Sequence, residues 1–306
     1  MMQIPHFLNK GDLIGITCPS GFLNRENTVM AQKVLEEKGF RVVQSCTVGA
    51  GDFYFAGSDR LRLEELQYQL DHPEFKAILM GRGGYGLSRI IDQLDFTKFL
   101  ENPKWIIGFS DITVLHSHLQ QYYSIASIHG PMCNTFRSEG NISQPIENLI
   151  QLLKGQLSHP FPLVSNEFNR SGEANGELVG GNLAILAHLT GSKSQLNCRN
   201  RILFIEDIGE YLYNIDRMLV QLNRAGCLEG IQGLICGGFT DSKDTERSFG
   251  KNIYEIILDH FKDENIPICF DFPAGHIDEN YPLILGANYH LSVDEYQMPF
   301  LEIAND

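Results

Sequence analysis

The 306-residue sequence predicts an α/β fold with two domains, the first built on a doubly wound parallel sheet. The first half alternates short apolar runs with amphipathic stretches, as expected of parallel strands covered by helices. A polar, Pro- and Asn-containing segment interrupts this pattern between about residues 155 and 176, and the pattern then restarts. The length also exceeds the ~100 to 200 residues that are usual for one domain.

The elements of the first half follow from its apolar periodicity. Strands are predicted at residues 12–17, 41–44, 77–80 and 105–108, with a further candidate at 125–128. Helices are predicted at residues 25–38, 61–70, 87–93 and 111–121. Ligands of such a sheet bind beyond the carboxyl ends of its strands, so we expect the chemistry in the loops that follow strands.

The second half contains fewer clear elements. Strands are predicted at residues 178–179, 202–205, 234–236 and 283–285, and helices at 182–189 and 215–225. We place the first domain at 1–158, a linker at 159–176 and the second domain at 177–306. No internal repeat or low-complexity tract is evident, which argues against a solenoid or a flexible tail.

Charge and hydropathy exclude two classes of partner. The net charge is -14 and the chain has no basic stripe, which argues against nucleic acid. No stretch approaches the ~18 uninterrupted apolar residues of a membrane span. The N-terminal residues lack the basic and apolar regions of a secretory signal, so we expect a cytoplasmic protein.

The seven cysteines are scattered singly, as expected of reduced thiols rather than disulfides. The ten histidines show no H-E-x-x-H or similar spacing. We therefore expect no metal site.

The first candidate functional motif is Gly108-Phe109-Ser110-Asp111, between the strand at 105–108 and the helix at 111–121. A serine at a tight strand-to-helix turn raises its hydroxyl above the sheet edge, and the next amide can stabilise an oxyanion. The motif departs from G-x-S-x-G at Ile112. Ser110 is thus either a nucleophile or a helix cap.

The second motif is Gly81-Arg82-Gly83-Gly84-Tyr85-Gly86, which formally satisfies the dinucleotide fingerprint G-x-G-x-x-G. It follows the third predicted strand rather than the first, and the next strand ends without the required carboxylate, so we discount that reading. The amides of Gly83 and Gly84 can instead face an oxyanion. The alternative is a tight turn that needs positive φ.

The third motif, Ile205-Glu206-Asp207, places carboxylates after an apolar run. Such a carboxylate can orient a histidine by accepting its Nδ1 proton. Acidic residues after strands also commonly cap helices or face water.

The fourth motif is Pro273-Ala274-Gly275-His276, a histidine in a loop bounded by Gly and Pro. Such a position suits a general base with a pKa near neutrality. His129, in His129-Gly130-Pro131, is a competing candidate.

These motifs, in this order, resemble the LD-carboxypeptidase family of serine peptidases, which also includes the microcin C immunity peptidases. The resemblance extends over nearly the whole chain and also includes Cys18-Pro19-Ser20 and Gly180-Gly181-Asn182-Leu183. It implies a flavodoxin-like N-terminal domain with a smaller β-rich C-terminal domain, a homodimer and no cofactor.

The resemblance also implies roles for particular residues. The nucleophile falls on Ser110, the glutamate on Glu206 and the histidine base on His276. The oxyanion amides fall on Gly83 and Gly84, and on Asp111. Arg82 and Tyr85 are candidates for substrate binding, with Arg82 as a possible holder of a terminal carboxylate.

Within the family the implied substrates differ. LD-carboxypeptidases remove D-alanine from a murein tetrapeptide, after meso-diaminopimelate or lysine, whereas the immunity peptidases cleave a peptidyl or aminoacyl nucleotide, often stacked on a tryptophan. Trp105 is expected to be buried, which favours the murein peptide, although an aromatic residue from 161–168 is a possible substitute. A dinucleotide-dependent oxidoreductase and a non-catalytic binder of wall fragments are the alternatives.

Overall fold

The computed structural model describes residues 2–136, 142–156, 161–163, 165–294 and 298–304. Within these residues there are two sheets, and the first is built mainly from the N-terminal half of the chain. It contains β1 (Leu13–Thr17), β2 (Arg41–Gln44), β3 (Phe75–Met80), β4 (Trp105–Gly108), β5 (Ser127–His129) and β11 (Leu283–Leu285). Their order is β11-β5-β4-β3-β1-β2, and all neighbours are parallel except β11 and β5. The order 2-1-3-4-5 is that of flavodoxin-like sheets, which confirms the predicted fold class.

Strands and helices of the first half follow from burial. Every residue of β1 and β4 is buried, as in parallel strands covered on both faces. The helices are α1 (Glu26–Glu37), α2 (Asp59–Asp71), α3 (Thr97–Glu101), α4 (Thr113–His118) and α5 (Gln144–Leu153). Helices α3 and α5 have no counterpart among the predicted elements.

Two predicted helices have a different geometry. The helix predicted at 87–93 is a pair of 3-10 turns, Leu87–Arg89 and Ile91–Gln93. The helix predicted at 111–121 begins as a 3-10 turn at Ser110–Ile112, continues as α4 and ends as a π-helical turn at Leu119–Tyr123. Short 3-10 and π segments commonly occur at helix ends and functional sites.

The second sheet has seven strands. These are β6 (Phe161–Pro162), β7 (Gly172–Asn182), β8 (Arg201–Ile208), β9 (Gly233–Thr240), β10 (Ile268–Cys269), β12 (Asn288–Val293) and β13 (Phe300–Ile303), in the order β10-β9-β8-β7-β12-β13-β6. The four strands from β7 to β10 are parallel, and the remaining pairings are antiparallel. The helices are α6 (Leu183–His188), α7 (Leu212–Arg224) and α8 (Ile253–His260).

Two strands lie across the predicted domain boundaries. Strand β7 begins at Gly172, inside the segment predicted as a linker, because its polar first half pairs with β12. Strand β11 lies within the predicted second domain but pairs with β5 in the first sheet. Of the predicted linker, residues 159, 160 and 164 lie outside the described residues.

Trp105 is fully buried, as predicted, and its exposed fraction is 0%. Its indole Nε1 donates to the carbonyl of His6 at 3.1 Å, and its ring stacks on Phe7. The seven cysteines are all free thiols. Across the described ranges, the helices are too short or too polar to cross a bilayer.

We expect Trp105→Ala to lower the free energy of unfolding by about 3 to 5 kcal/mol, because it removes a large buried side chain and leaves a cavity. Trp105→Phe is the matched control, because it keeps a buried ring and loses only part of the buried volume and one hydrogen bond, the latter worth about 1 kcal/mol. Urea unfolding followed by circular dichroism measures both. Equal, small losses for the two variants would contradict the core position of this ring.

Candidate active site

The site is built on loops at the carboxyl ends of β1, β3 and β4. The loop after β3 is tied to β1 by the Gly81 amide, which donates to Thr17 O at 2.8 Å. The Gly21 amide, after β1, donates to Gly83 O at 3.2 Å. These bonds hold the glycine loop and the loop after β1 against each other beside Ser110.

Ser110 occupies a strained position at the end of β4. Its φ is +64°, in the left-handed region that non-glycine residues rarely adopt. Within the described residues its hydroxyl caps no helix amide, so the capping interpretation is wrong for this side chain. The turn presents Ser110 as a half-buried hydroxyl at the sheet edge.

The glycine loop packs directly on Ser110. A Cβ atom on Gly83 would lie 2.7 Å from Ser110 Cβ and 3.3 Å from the Asp111 amide nitrogen. Only glycine allows this approach. Among the described residues, the amides of Gly83, Gly84 and Asp111 make no backbone hydrogen bond, so they can donate to a bound group. Gly84 also has a φ of +113°, so the tight-turn interpretation holds for it as well.

The side chain of Asp111 forms hydrogen bonds to the loop after β1 and to the segment that follows the glycine loop. Its Oδ2 accepts from the Ser20 hydroxyl at 2.6 Å and from the Leu87 amide at 3.0 Å. Burial raises the pKa of this carboxyl, and the two hydrogen bonds act in the opposite direction. The buried Arg62 guanidinium adds bonds to Pro19 O and Gly86 O, at 2.5 and 2.9 Å. Sequence reasoning did not identify these contacts.

Glu206 and His276 form a hydrogen-bonded pair. Glu206 Oε2 lies 2.7 Å from His276 Nδ1 and also accepts from the His276 amide at 3.2 Å. Glu206 is completely buried near the end of β8, and 17% of the His276 side chain is exposed. A Cβ atom on Gly275 would lie 2.7 Å from Glu206 Oε2, so a larger residue there would displace the carboxylate.

The pair alters the acidity of the imidazole. Burial by itself lowers the pKa of His276, but the hydrogen bond and charge of Glu206, with the charge of Asp207 behind it, raise the pKa above its ordinary value of 6.5. Nδ1 faces Glu206, so Nε2 is the nitrogen available to a reacting group.

His276 and Phe109 line one cavity of about 550 Å³. Their rings meet edge to face, with centroids 4.9 Å apart, which places the residue before Ser110 against the imidazole. Within the described ranges no hydrogen bond joins Ser110 to His276. Apo geometry of this kind is common where a base engages its nucleophile only in the substrate complex. A serine, a histidine held by a buried carboxylate and free amides together suit acyl transfer.

Three other predicted candidates lie outside the Glu206-His276 pair. His129 is fully buried beside Phe204 and Phe109, and burial holds its pKa well below the ordinary value, so it suits a general base less well. Arg82 donates to Phe22 O at 3.1 Å. Tyr85 is 45% exposed beside Phe55. The substrate-binding roles of Arg82 and Tyr85 stay predictions.

The Asp207 carboxylate accepts a hydrogen bond from the first turn of α6 rather than facing water. Asp207 is buried, and its carboxylate accepts from the amides of Ala184 and Ile208 and from Asn182 Nδ2. Burial raises its pKa to about 7, although these hydrogen bonds act in the opposite direction. The backbone N–H of Asn182 donates to the Thr113 hydroxyl oxygen. No pattern in the sequence signalled this contact, because Thr113 and Asn182 lie far apart in the chain.

Comparison with known proteins places these features in context. The LD-carboxypeptidase N-terminal domain family matches residues 14–130, and the LD-carboxypeptidase C-terminal domain family matches residues 175–291. The probable murein peptide carboxypeptidase of Bacillus subtilis is 30% identical over 95% of this chain and 92% of its own length.

Two solved structures also resemble this chain over nearly its whole length. Muramoyltetrapeptide carboxypeptidase from Oxalobacter formigenes superposes with a TM-score of 0.84, at 28% identity, over 96% of this chain and 99% of its own. The structure of MccF in complex with glutamyl sulfamoyl guanosine superposes with a TM-score of 0.87 over 98% of both chains. At 21% identity, that second likeness supports the fold alone.

Proposed function

Because the chain belongs to the LD-carboxypeptidase family, we propose that it is a serine carboxypeptidase that removes the terminal D-alanine from murein tetrapeptides. One observation carries the assignment of residues. The buried Glu206 carboxylate holds His276 by Nδ1 at 2.7 Å, beside the turn that presents Ser110. This arrangement supports a Ser110-His276-Glu206 triad.

In the proposed mechanism, His276 Nε2 takes the hydroxyl proton as Ser110 Oγ attacks the carbonyl carbon of the scissile bond. Glu206 fixes the tautomer of the imidazole and offsets the positive charge that develops on it. The proton then passes from His276 to the departing amine of D-alanine. Water, activated by the same histidine, hydrolyses the acyl-enzyme and releases the tripeptide.

The oxyanion of the tetrahedral intermediate is assigned to the amides of Gly83, Gly84 and Asp111. Their lack of backbone partners among the described residues and the tight packing of Gly83 on Ser110 support this assignment. In other serine hydrolases one such donor contributes about 2.7 to 4 kcal/mol to transition-state stabilisation.

The aromatic residues favour a murein peptide over a nucleotide substrate. Trp105 is buried in the first sheet and cannot stack on a nucleobase. Phe161 packs on Phe272 and Tyr281. Phe168 stacks on Tyr254, with ring centroids 4.8 Å apart. Both aromatic rings that could stack on a nucleobase in place of a tryptophan therefore already pack against other rings of the protein.

The direct test is incubation of the purified protein with a murein tetrapeptide, followed by mass spectrometry. We expect tripeptide and free D-alanine. A parallel reaction with an aminoacyl sulfamoyl nucleotide tests the immunity-peptidase alternative, and cleavage of that compound alone would overturn the proposed substrate. Tight tetrapeptide binding without turnover would indicate a non-catalytic binder.

We expect kcat/KM for tetrapeptide cleavage to fall as the pH drops below the pKa of His276, because protonated His276 cannot accept the Ser110 proton. Glu206 raises the pKa of His276, so we expect the acidic limb of a kcat/KM profile at an apparent pKa above 6.5. Initial rates measured between pH 5 and 9 give this value. A limb near pH 5 would contradict the role of His276 as base.

We also propose a cytoplasmic location and a homodimer. Seven free thiols, six of them buried, suit a reducing compartment. The dimer rests on the family resemblance, and sedimentation velocity tests it.

A further inference from the structure

The turn that carries Ser110 follows a strand of the first sheet, and Glu206 lies on a strand of the second sheet. Besides the Phe109-His276 ring contact, a buried threonine bonds the helix after Ser110 to the second sheet. Thr113 begins α4, three residues after Ser110, and is fully buried. Its hydroxyl oxygen accepts a hydrogen bond of 3.1 Å from the amide of Asn182, the last residue of β7 in the second sheet.

The contact depends on a close approach of the two sheets. A Cβ atom on Gly181 would lie 2.6 Å from Thr113 Oγ1, and Gly181 has a φ of +137°. Any larger residue would push α4 away from the end of β7. The Gly180-Gly181-Asn182 motif therefore brings the backbone of β7 against the helix that follows the nucleophile.

From Asn182 the chain of contacts continues to the catalytic carboxylate. Asn182 and Glu206 are partners in the parallel register of β7 and β8. Asn182 Nδ2 also donates to Asp207 Oδ1 at 3.1 Å, and Ala184 N donates to Asp207 Oδ2 at 2.9 Å. Both ends of the Asn182-Asp207 bond are buried, so water does not compete for it.

We propose that Thr113 is a positioning residue, whose hydrogen bond to Asn182 sets the distance between Ser110 and the Glu206-His276 pair. The relay runs from Thr113 through Asn182 to Asp207, which adjoins Glu206. It rests on the proposed function, because its effect is on the reaction of Ser110. A displacement of about 1 Å in such a site can lower the rate about 100-fold.

The test compares Thr113→Val, which keeps the shape but removes the acceptor, with Thr113→Ser, which keeps the acceptor. With a murein tetrapeptide we expect kcat of Thr113→Val to fall about 10- to 100-fold with KM changed less than about twofold. Thr113→Ser should retain kcat within about threefold. Wild-type kcat in Thr113→Val, or an equal loss in Thr113→Ser, would overturn the proposal.

Thr28→Val controls for loss of a buried threonine hydroxyl, because Thr28 is fully buried and its Oγ1 donates within α1's first turn to Arg25 O. It should lose stability but not kcat. All rates are measured at a temperature where circular dichroism shows each variant folded. A kcat loss in Thr28→Val equal to that in Thr113→Val would overturn the positioning role.

Asp207→Asn tests the far end of the relay. If Thr113 and Asp207 act through the same series of contacts, the double variant Thr113→Val/Asp207→Asn should lose less kcat than the product of the two single fold-losses. Fold-losses in kcat that multiply would contradict the relay. Absence of tetrapeptide cleavage by the wild type would instead count against the proposed function. In that case the rate of Ser110 labelling by a fluorophosphonate replaces kcat as the readout, with the same expected order of variants.

Discussion

Ser110→Ala is expected to abolish cleavage of a murein tetrapeptide, with kcat lowered by about 10⁴- to 10⁶-fold. Alanine supplies no oxygen to attack the carbonyl carbon, whereas the Ser110 hydroxyl lies beside Gly83 and the Asp111 amide. Because the methyl group is smaller than the hydroxymethyl group, the Gly83 contact survives. Tetrapeptide binding, measured by calorimetry, should change little.

Ser117→Ala is a matched control for this variant. Ser117 lies in α4, and its hydroxyl is buried and bonded to Ser194 O at 2.6 Å. We expect this control to lose some stability and to retain kcat. Equal turnover by Ser110→Ala and the wild type would exclude Ser110 as the nucleophile.

Glu206→Gln should lower kcat by about 10³- to 10⁴-fold, while leaving the fold intact. The carboxylate accepts two hydrogen bonds from His276, and a neutral amide can neither hold the same tautomer as firmly nor offset the imidazolium charge. The raised pKa of His276 depends on Glu206, so the acidic limb of the pH profile should also move to lower pH.

Glu177→Gln provides the comparison. Glu177 lies at the opposite end of the β7-β8 ladder, opposite Arg201, where it forms a half-buried ion pair at 3.1 Å. Its loss should alter stability by about 1 kcal/mol or less and leave the pH profile unchanged. An unshifted pH limb in Glu206→Gln would contradict the proposed link between this carboxylate and the histidine.

Local sequence patterns were sufficient to predict the parallel strands of the first sheet, but not the pairing of β11 with β5. The strands at 41–44 and 105–108 have the predicted bounds, because fully or partly buried parallel strands appear as short apolar runs between turn residues. Ser110 follows a strand and His276 lies in a loop, as predicted.

Long-range pairing could not be predicted in the same way. Residues 172–176 are polar and resemble a linker, and only their partner β12 makes them a strand. Thr113, Asn182 and Asp207 are ordinary polar residues in the sequence, and their significance depends on sheet packing that brings distant segments together. The local motif predicted a tight turn at Ser110, but not its left-handed φ, which serine rarely adopts.

The return of β11 to the first sheet limits how this protein can be divided or recombined. A fragment ending near residue 158 would leave β5 as an exposed edge, and such edges tend to pair with other chains and aggregate. The complementary fragment would carry β11 with no sheet to join. Any exchange of halves between two members of this family must therefore transfer residues 283–285 with the half that carries Ser110, although His276 lies only seven residues earlier in the chain.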